Sequence, residues 1–422
     1  MLVIAALFAL QQSLAPVEQR IVRQVDAEAR QAVELLARTV NINSGTLNRA
    51  GVRQVADVLK PEFEKLGFTV RYEALADSLQ RGGHLIAERK GTRGKRLLLI
   101  GHLDTVFEEE SPFQRFQLID DTTAGGPGVQ DMKGGNIVML YALRALHAAG
   151  ALDNTSITVF LTGDEESPGD PIAVSRAALI NAGKSSDLAL AFEGGSRDRE
   201  GDLFVIARRG SSSWTLRVTG KTAHSSGIFG SNTGAGAIYE AARILDRFYG
   251  EIRGDRNVTF NPGIMVAGDQ AELGTNEGKA AGKINIVAAT ALVRGDLRTL
   301  TDDELQRTRE RMRAIVAQNL PATTAEISFE DRYPNMPPTA GNQALLRRVD
   351  EVNRALGLGA VRAFDPASRG AGDVSFVAPL IDAIDGLGPL GSGAHSDRER
   401  LHLPSLRTAT KRAAVLIHRL TR

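Results

Sequence analysis

Five positions in this chain place an imidazole or carboxylate where an apolar run gives way to a Gly-rich or polar loop. They are His102, Asp131, the pair Glu165 and Glu166, Glu193, and His395. All are nitrogen or oxygen donors. A run such as LLLIG at 97–101, bounded by turn residues, reads as a buried parallel strand. In open α/β sheets ligands bind outside the carboxyl ends of such strands, so residues far apart in sequence can converge on one crevice. That composition is a metal site, and the expected product is a hydrolase.

Gly101-His102-Leu103-Asp104-Thr105 ends the most apolar of these runs. Strand alternation turns His102 and Asp104 to the same side. A metal-binding histidine generally donates its other ring N–H to a carboxylate, which fixes its tautomer, although a hydrogen-bonded histidine at any strand end would read the same way. GVQDMKGG, at 128–135, precedes a long apolar helix, and Asp131 there could equally cap it. Gly134 and Gly135 are poor helix formers at a helix start and imply that something approaches closely. Lys133 is followed by glycine and not by Ser or Thr, which excludes a P-loop. Asp164, Glu165 and Glu166 follow the strand run ITVFLTG. Three adjacent acids repel one another unless cations or protons intervene, though a solvated acidic loop would look alike. Glu193 follows DLALAF in the same manner. In GSGAHSD, at 391–397, small residues let the loop fold tightly and turn His395 inward. His84, His147, His402 and His418 lack such a setting and read as structural or surface residues.

Elements that could position these groups are legible around them. Residues 17–66 carry helix-spaced apolar positions, and FTVRYEAL and GGHLIAERKG alternate as strands. A βα rhythm follows: RLLLIG, the helix GGNIVMLYALRALHAAG, the strand SITVFLTG, a helix, and the strand DLALAFEGG. Such alternation implies a parallel sheet covered on both faces. After Arg209 the texture changes to longer, half-polar strands, SSSWTLRVTG, NVTFNPGIMVAG, KINIVAATALVRGDLRTL and AEISFEDRYP, which suit an antiparallel sheet with one solvated face. Two helices interleave, the second capped by Thr301 or Asp302. After Pro337 and Pro338 the βα texture resumes and closes on the helix RTATKRAAVLIHRL. The expected organisation is a catalytic domain in two parts, 17–208 and 333–422, interrupted by an α+β domain over 209–332.

With 422 residues the chain exceeds what one core usually serves, which agrees with two domains. Its net charge of +1 gives no electrostatic footprint for nucleic acid or an anionic membrane. It has no cysteine, so thiolate nucleophiles and Cys-type zinc sites are excluded, and any metal must be held by histidine and carboxylate. The first sixteen residues, MLVIAALFALQQSLAP, read as a candidate signal peptide, too short for a membrane span. A periplasmic or secreted protein is expected, with a cytoplasmic one, bearing an N-terminal core helix, as the alternative.

Together, HLDTV, GPGVQDMKGG, the Asp-Glu-Glu after one strand, a glutamate after another and the final GAHSD resemble the M20 family of metallopeptidases, above all its glutamate carboxypeptidase-like members. The resemblance spans nearly the whole chain, the inserted domain included. It implies a zinc-exopeptidase-like α/β catalytic domain with a mostly parallel central sheet, interrupted by a smaller α+β lid or dimerisation domain. It also implies two zinc ions per subunit, with cobalt or manganese as alternatives. Carried over residue by residue, Asp131 would bridge the ions, His102 and Glu193 would complete one site, and Glu166 and His395 the other. Glu165 would be the general base, and Asp104 would orient His102. His224, in GKTAHSSG, matches a lid histidine that supports the tetrahedral oxyanion. Asn285, in KINIVAA, and Arg298, in RGDLRTL, match residues that hold the substrate's terminal carboxylate, a role suited to a planar guanidinium. From the residues alone, His224 could be an ordinary strand-end polar group and Arg298 half of a cross-strand ion pair. Gly372, in GAGD at 370–373, matches a glycine loop bordering the substrate pocket.

The activity implied is carboxypeptidase-like hydrolysis of an amide or peptide bond next to a free α-carboxylate. An N-acyl-amino-acid amidohydrolase or dipeptidase would share the mechanism, and a silent metal- or peptide-binding homologue is the alternative from another class. A homodimer through the lid is implied, without nucleic-acid partners or integral membrane segments. Three features depart from the family pattern: Gly194 where relatives carry Pro, SPGDP after Glu166, and His-Ser-Ser in the lid where His-Ala-Gly is usual. They leave a preference for glutamate open.

Overall fold

The run LLLIG lies in the strand Arg93–His102, whose last six residues are buried. This strand pairs in parallel with Thr155–Thr162 on one side and Leu188–Ala191 on the other. The computed structural model describes residues 14–274 and 276–422, so the candidate signal peptide lies, up to residue 13, outside the described residues. Six strands form the central sheet, in the order Thr69–Glu73, His84–Arg89, Thr155–Thr162, Arg93–His102, Leu188–Ala191, Asp382–Ile384. The first two pairings are antiparallel and the other three parallel. The mostly parallel sheet expected from the βα rhythm is therefore what forms. A parallel strand with neighbours on both sides is buried on both faces and tolerates a continuous apolar run.

Helix Lys133–Ala148 is buried almost all round, as a helix apolar on every side must be. Helices Pro16–Ala27, Ala29–Val40 and Leu403–Leu420 pack against it, while Arg49–Glu64 and Ala340–Ala355 cover strands toward the two sheet edges. Gly135 explains why glycine opens the buried helix: a Cβ there would stand 1.9 Å from the carbonyl oxygen of Phe192. The close approach expected at this point is to backbone, and it brings the helix start beside the strand end that carries Glu193.

The described residues divide into two compact units, one within 208–337 with 366–371, the other comprising the rest of them. In the smaller unit four antiparallel strands run in the order Thr259–Gly268, Thr290–Thr299, Gly210–Gly220, Thr323–Tyr333. Alternate residues of Gly210–Gly220 are buried, and Trp214, Leu216 and Val218 pack with Ile244 and Phe248 into a core of its own. Thr301, not Asp302, caps helix Asp302–Val316: its hydroxyl accepts the Glu304 N–H while the Glu304 carboxylate accepts the Thr301 N–H. The unit extends past residue 332 because Arg208 and Met336 exchange backbone hydrogen bonds, and the Arg208 guanidinium donates to the carbonyls of Gly370 and Ala371. KINIVAA, expected to begin a strand, is a loop. The strand starts only at Thr290, since its neighbour ends at Gly220, and beyond that Ile286 makes a single bridge to His224.

Candidate metal centre

Three adjacent parallel strands deliver their loops to one place. His102 ends the central strand, Glu165 and Glu166 follow Thr155–Thr162, and Glu193 follows Leu188–Ala191. The His102 Nδ1 lies 3.0 Å from the Asp104 carbonyl and 3.3 Å from its Oδ1. That leaves Nε2 directed at Asp131 Oδ1, at 3.3 Å, and Glu193 Oε1, at 3.7 Å. The other Asp131 oxygen, Oδ2, is 3.1 Å from His395 Nε2, which is also 3.1 Å from Glu166 Oε2. Asp131 thus divides its two oxygens between two donor sets, His102 with Glu193 and His395 with Glu166. Within each set the ligand atoms lie within 4.8 Å of one another, as do those of a third group, His102, Glu165 and Glu166.

The electrostatics of this cluster call for positive charge. Hydrogen bonds to Asp131 and Glu166 push the His395 imidazole up to about 11. Burial alone would depress His102, but its bonds to Asp104 and Asp131 and the field of Glu193 outweigh that and hold it well above its usual range. Burial raises Glu165 well above the ordinary carboxylate range, with Glu193, Asp373 and Glu166 adding to it, and burial raises Glu166 as well. Glu166 Oε1 is buried with no hydrogen-bond partner among the described residues. Imidazole and carboxylate donors suit zinc and similar divalent ions, so the residues present fit a metal centre.

A shell of buried partners sets the donors. Asp104, wholly buried, accepts the Glu165 and Glu166 backbone N–H groups at 3.0 Å each and the Thr46 hydroxyl at 2.7 Å. It therefore orients His102 and also pins the loop carrying both glutamates. The Asn136 amide donates to the His102 carbonyl. Of the three consecutive acids, Asp164 turns away: its carboxylate pairs with the buried Arg176 guanidinium at 2.6 Å, and Arg176 also binds Asp373 at 2.7 Å. The repulsion expected of Asp-Glu-Glu is thus partly relieved by a cation twelve residues on. Asp131 is not the helix cap it could have been; the helix begins at Lys133 with Met132 before it. Glu399, buried, takes three N–H groups from the loop that carries Asp131, and burial pushes its carboxyl up to about 7. Thr46, Arg176 and Glu399 were not singled out from sequence, where each is one more polar residue near a loop; only their burial marks them.

The remaining sequence candidates are not among these donors. Gly372 is buried and precedes the short helix Asp373–Phe376. In the smaller unit, His224 and Asn285 are exposed and adjacent, the Ser225 N–H donating to the Asn285 carbonyl at 2.9 Å. Arg298 is bound through Nε to Asp296 of its own strand at 3.0 Å, and not across the sheet. It lies opposite Ser211, while His224 lies beyond Gly220, so the structure does not bring Arg298 to His224 and Asn285.

An α/β sheet whose strand ends gather two imidazoles and four carboxylates, with an α+β unit inserted in the chain, defines a metal-dependent hydrolase. Residues 98–419 match the profile of Peptidase family M20/M25/M40, and the chain belongs to that family. It is 27% identical over 410 residues to carboxypeptidase G2 of Pseudomonas sp. (strain RS-16), covering 94% of this chain and 91% of that protein. It is 26% identical over 348 residues to a succinyl-diaminopimelate desuccinylase of Xanthomonas oryzae pv. oryzae, covering 78% of this chain and 85% of that one. Among solved structures, a tripeptidase from Staphylococcus aureus superimposes with a TM-score of 0.69 at 20% identity, over 93% of this chain and 99% of that one. A dinuclear metal binding peptidase of the M20 family from Bacillus subtilis gives 0.64 at 15% identity, over 94% and 99%. The chain is an enzyme of this class, a metal-dependent hydrolase of peptide or amide bonds.

Proposed function

We propose that the enzyme uses two zinc ions to cleave an amide bond adjacent to a free α-carboxylate. The observation that carries the dinuclear reading is Asp131, whose two oxygens face two separate donor sets at 3.3 and 3.1 Å. His102 and Glu193 would hold one ion, His395 and Glu166 the other, with Asp131 shared. When bound, such ions supply Lewis acidity and lower the pKa of water toward neutrality. Glu165 is assigned the proton: it takes one from the attacking water and delivers it to the leaving nitrogen. Asp104 holds His102 in the tautomer that presents Nε2. A screen of dipeptides and N-acyl-amino acids with zinc, cobalt or manganese, scored by amine release, tests this reading. Turnover of carboxylate-free amides in place of all carboxylate-bearing ones would reject it.

Arg298 is assigned the substrate carboxylate. One of its five N–H groups is engaged by Asp296, which aims the guanidinium, and its fork can take a carboxylate bidentately. It is about a third exposed, so the low end of the range for charge-assisted bonds applies. Arg298→Ala is expected to raise KM with kcat little changed, costing ~2 kcal/mol, about 30-fold. Amidating the substrate's carboxylate should harm the wild type far more than the variant. Equal harm to both would remove Arg298 from the site.

His224 and Asn285 are assigned to the active site of a second copy in a homodimer. Support comes from the sheet itself: strand Thr290–Thr299 spans roughly 30 Å at ~3.3 Å per residue, with Arg298 near one end and His224 past the other. A small substrate cannot reach both on one copy of this unit. Mixing inactive His224→Ala with inactive Glu165→Gln under subunit exchange should restore activity, toward a quarter of wild type for random dimers. A protein fully active as a monomer would overturn the assignment. We place the enzyme in the periplasm or outside the cell, on the apolar N-terminal stretch; among the described residues no helix is long and apolar enough to cross a membrane.

A further inference from the structure

Four residues after His395, Glu399 is buried to 1% exposure on the same turn. Its Oε1 accepts the backbone N–H of Gln130 at 2.8 Å and of Asp131 at 3.0 Å, and its Oε2 that of Gly128 at 3.0 Å. Three N–H groups within four residues converge on one carboxylate, an anion nest built by the loop that carries Asp131. The nest depends on Gly128, at φ +77°, where a Cβ would also lie 2.8 Å from the Thr105 side chain.

The turn from His395 to Glu399 grips Asp131 twice. His395 Nε2 meets the side chain at Oδ2, 3.1 Å away, and Glu399 meets the backbone N–H. The turn is closed by the Ser396 N–H on the Gly393 carbonyl and the Glu399 N–H on the Ser396 carbonyl. His395 takes φ +62° within it, a left-handed conformation that costs a non-glycine residue about 1 kcal/mol or more. Burying a carboxylate is itself expensive, and a loop that needed only closing could be closed by neutral groups. What this arrangement achieves is to fix Asp131 between its two donor sets.

We infer that Glu399 is a positioning residue for the metal centre: it sets the Asp131 carboxylate, and with it the spacing of the two ion sites, through three backbone hydrogen bonds. The inference rests on the dinuclear reading above. Partners of this kind, one step removed from the metal, are worth 10- to 100-fold in metal affinity. Glu399→Gln is nearly isosteric, but its amide has one acceptor oxygen and would turn an N–H toward the nest. Glu399→Asp keeps the charge and is one methylene too short to reach all three amides.

The test is zinc titration of metal-stripped wild type, E399Q and E399D against a chromophoric chelator, with thermal unfolding of each apo protein. Both variants are expected to bind zinc 10- to 100-fold more weakly and, at saturating zinc, to show lower kcat with KM little changed. Retained affinity in E399D with loss in E399Q would mean that the charge acts at a distance and would overturn positioning. Lower apo stability with unchanged zinc affinity, or failure of both variants to fold, would make Glu399 structural only and overturn it too. Wild-type protein that binds no divalent metal would instead overturn the dinuclear reading itself.

Discussion

Removing divalent metal should abolish hydrolysis, and returning zinc, cobalt or manganese should restore it. The expected loss is at least ~10³-fold, because water has a pKa of 15.7 free and about 7 on zinc, and a carboxylate alone generates little hydroxide at neutral pH. The chain has no cysteine to serve as an alternative nucleophile, and the converging side chains are imidazoles and carboxylates, donors and proton carriers. The stripped protein should also unfold at lower temperature. A ligand bound only by the folded state adds roughly 2.7 kcal/mol when present at a hundred times its Kd, and without it Asp131, Glu166 and Glu193 crowd together around His102 and His395. Dialysis against a strong chelator and elemental analysis, then turnover and thermal unfolding with and without added metal, measure both effects. Full turnover with no detectable metal would end the metal-dependent reading.

The strands that carry the donors were legible because burial on both faces writes itself as a largely apolar run. LLLIG, ITVFLTG and DLALAF are such runs, and all three lie side by side in the sheet. The glycines of QDMKGG announced a close approach, and the structure supplies the carbonyl of Phe192. Polar partners fixed by distant backbone left no such mark. Glu399 acts on amides about 270 positions away, and Arg176 reads as a helix arginine until its burial against Asp164 and Asp373 is seen. KINIVAA misled for a related reason. Its apolar alternation is strand-like, but a strand needs a neighbour, and the neighbour stops at Gly220. Nor could spacing along the sequence reveal that Asn285 and Arg298, thirteen residues apart, stand toward opposite ends of one sheet. An extended strand turns a short stretch of sequence into a long distance.

Glu165 and Glu166 have the same chemistry and adjacent positions, yet substituting each should have a different consequence. Asp104 holds both backbone N–H groups, so the two side chains leave a fixed segment in different directions. Glu166 reaches His395 at 3.1 Å through Oε2, next to Asp131, while its Oε1 is buried without a partner among the described residues. That is the posture of a ligand. Glu165 lies within reach of His102, as Glu166 does, and near enough to Glu193 and Asp373 to be pushed upward by their charge once burial has raised it. A carboxylate held there with raised proton affinity is suited to accept and return a proton. Glu165→Gln keeps size and polarity but cannot accept one, so it should retain metal and substrate binding and lose on the order of 10²–10⁴ in turnover, the usual share of general-base catalysis. Glu166→Gln should weaken one ion site, so that activity returns in part as metal is raised. Metal content and turnover, measured for both variants across a range of metal concentrations, decide between them. If Glu165→Gln loses metal, or if added metal restores its turnover, the two roles are reversed.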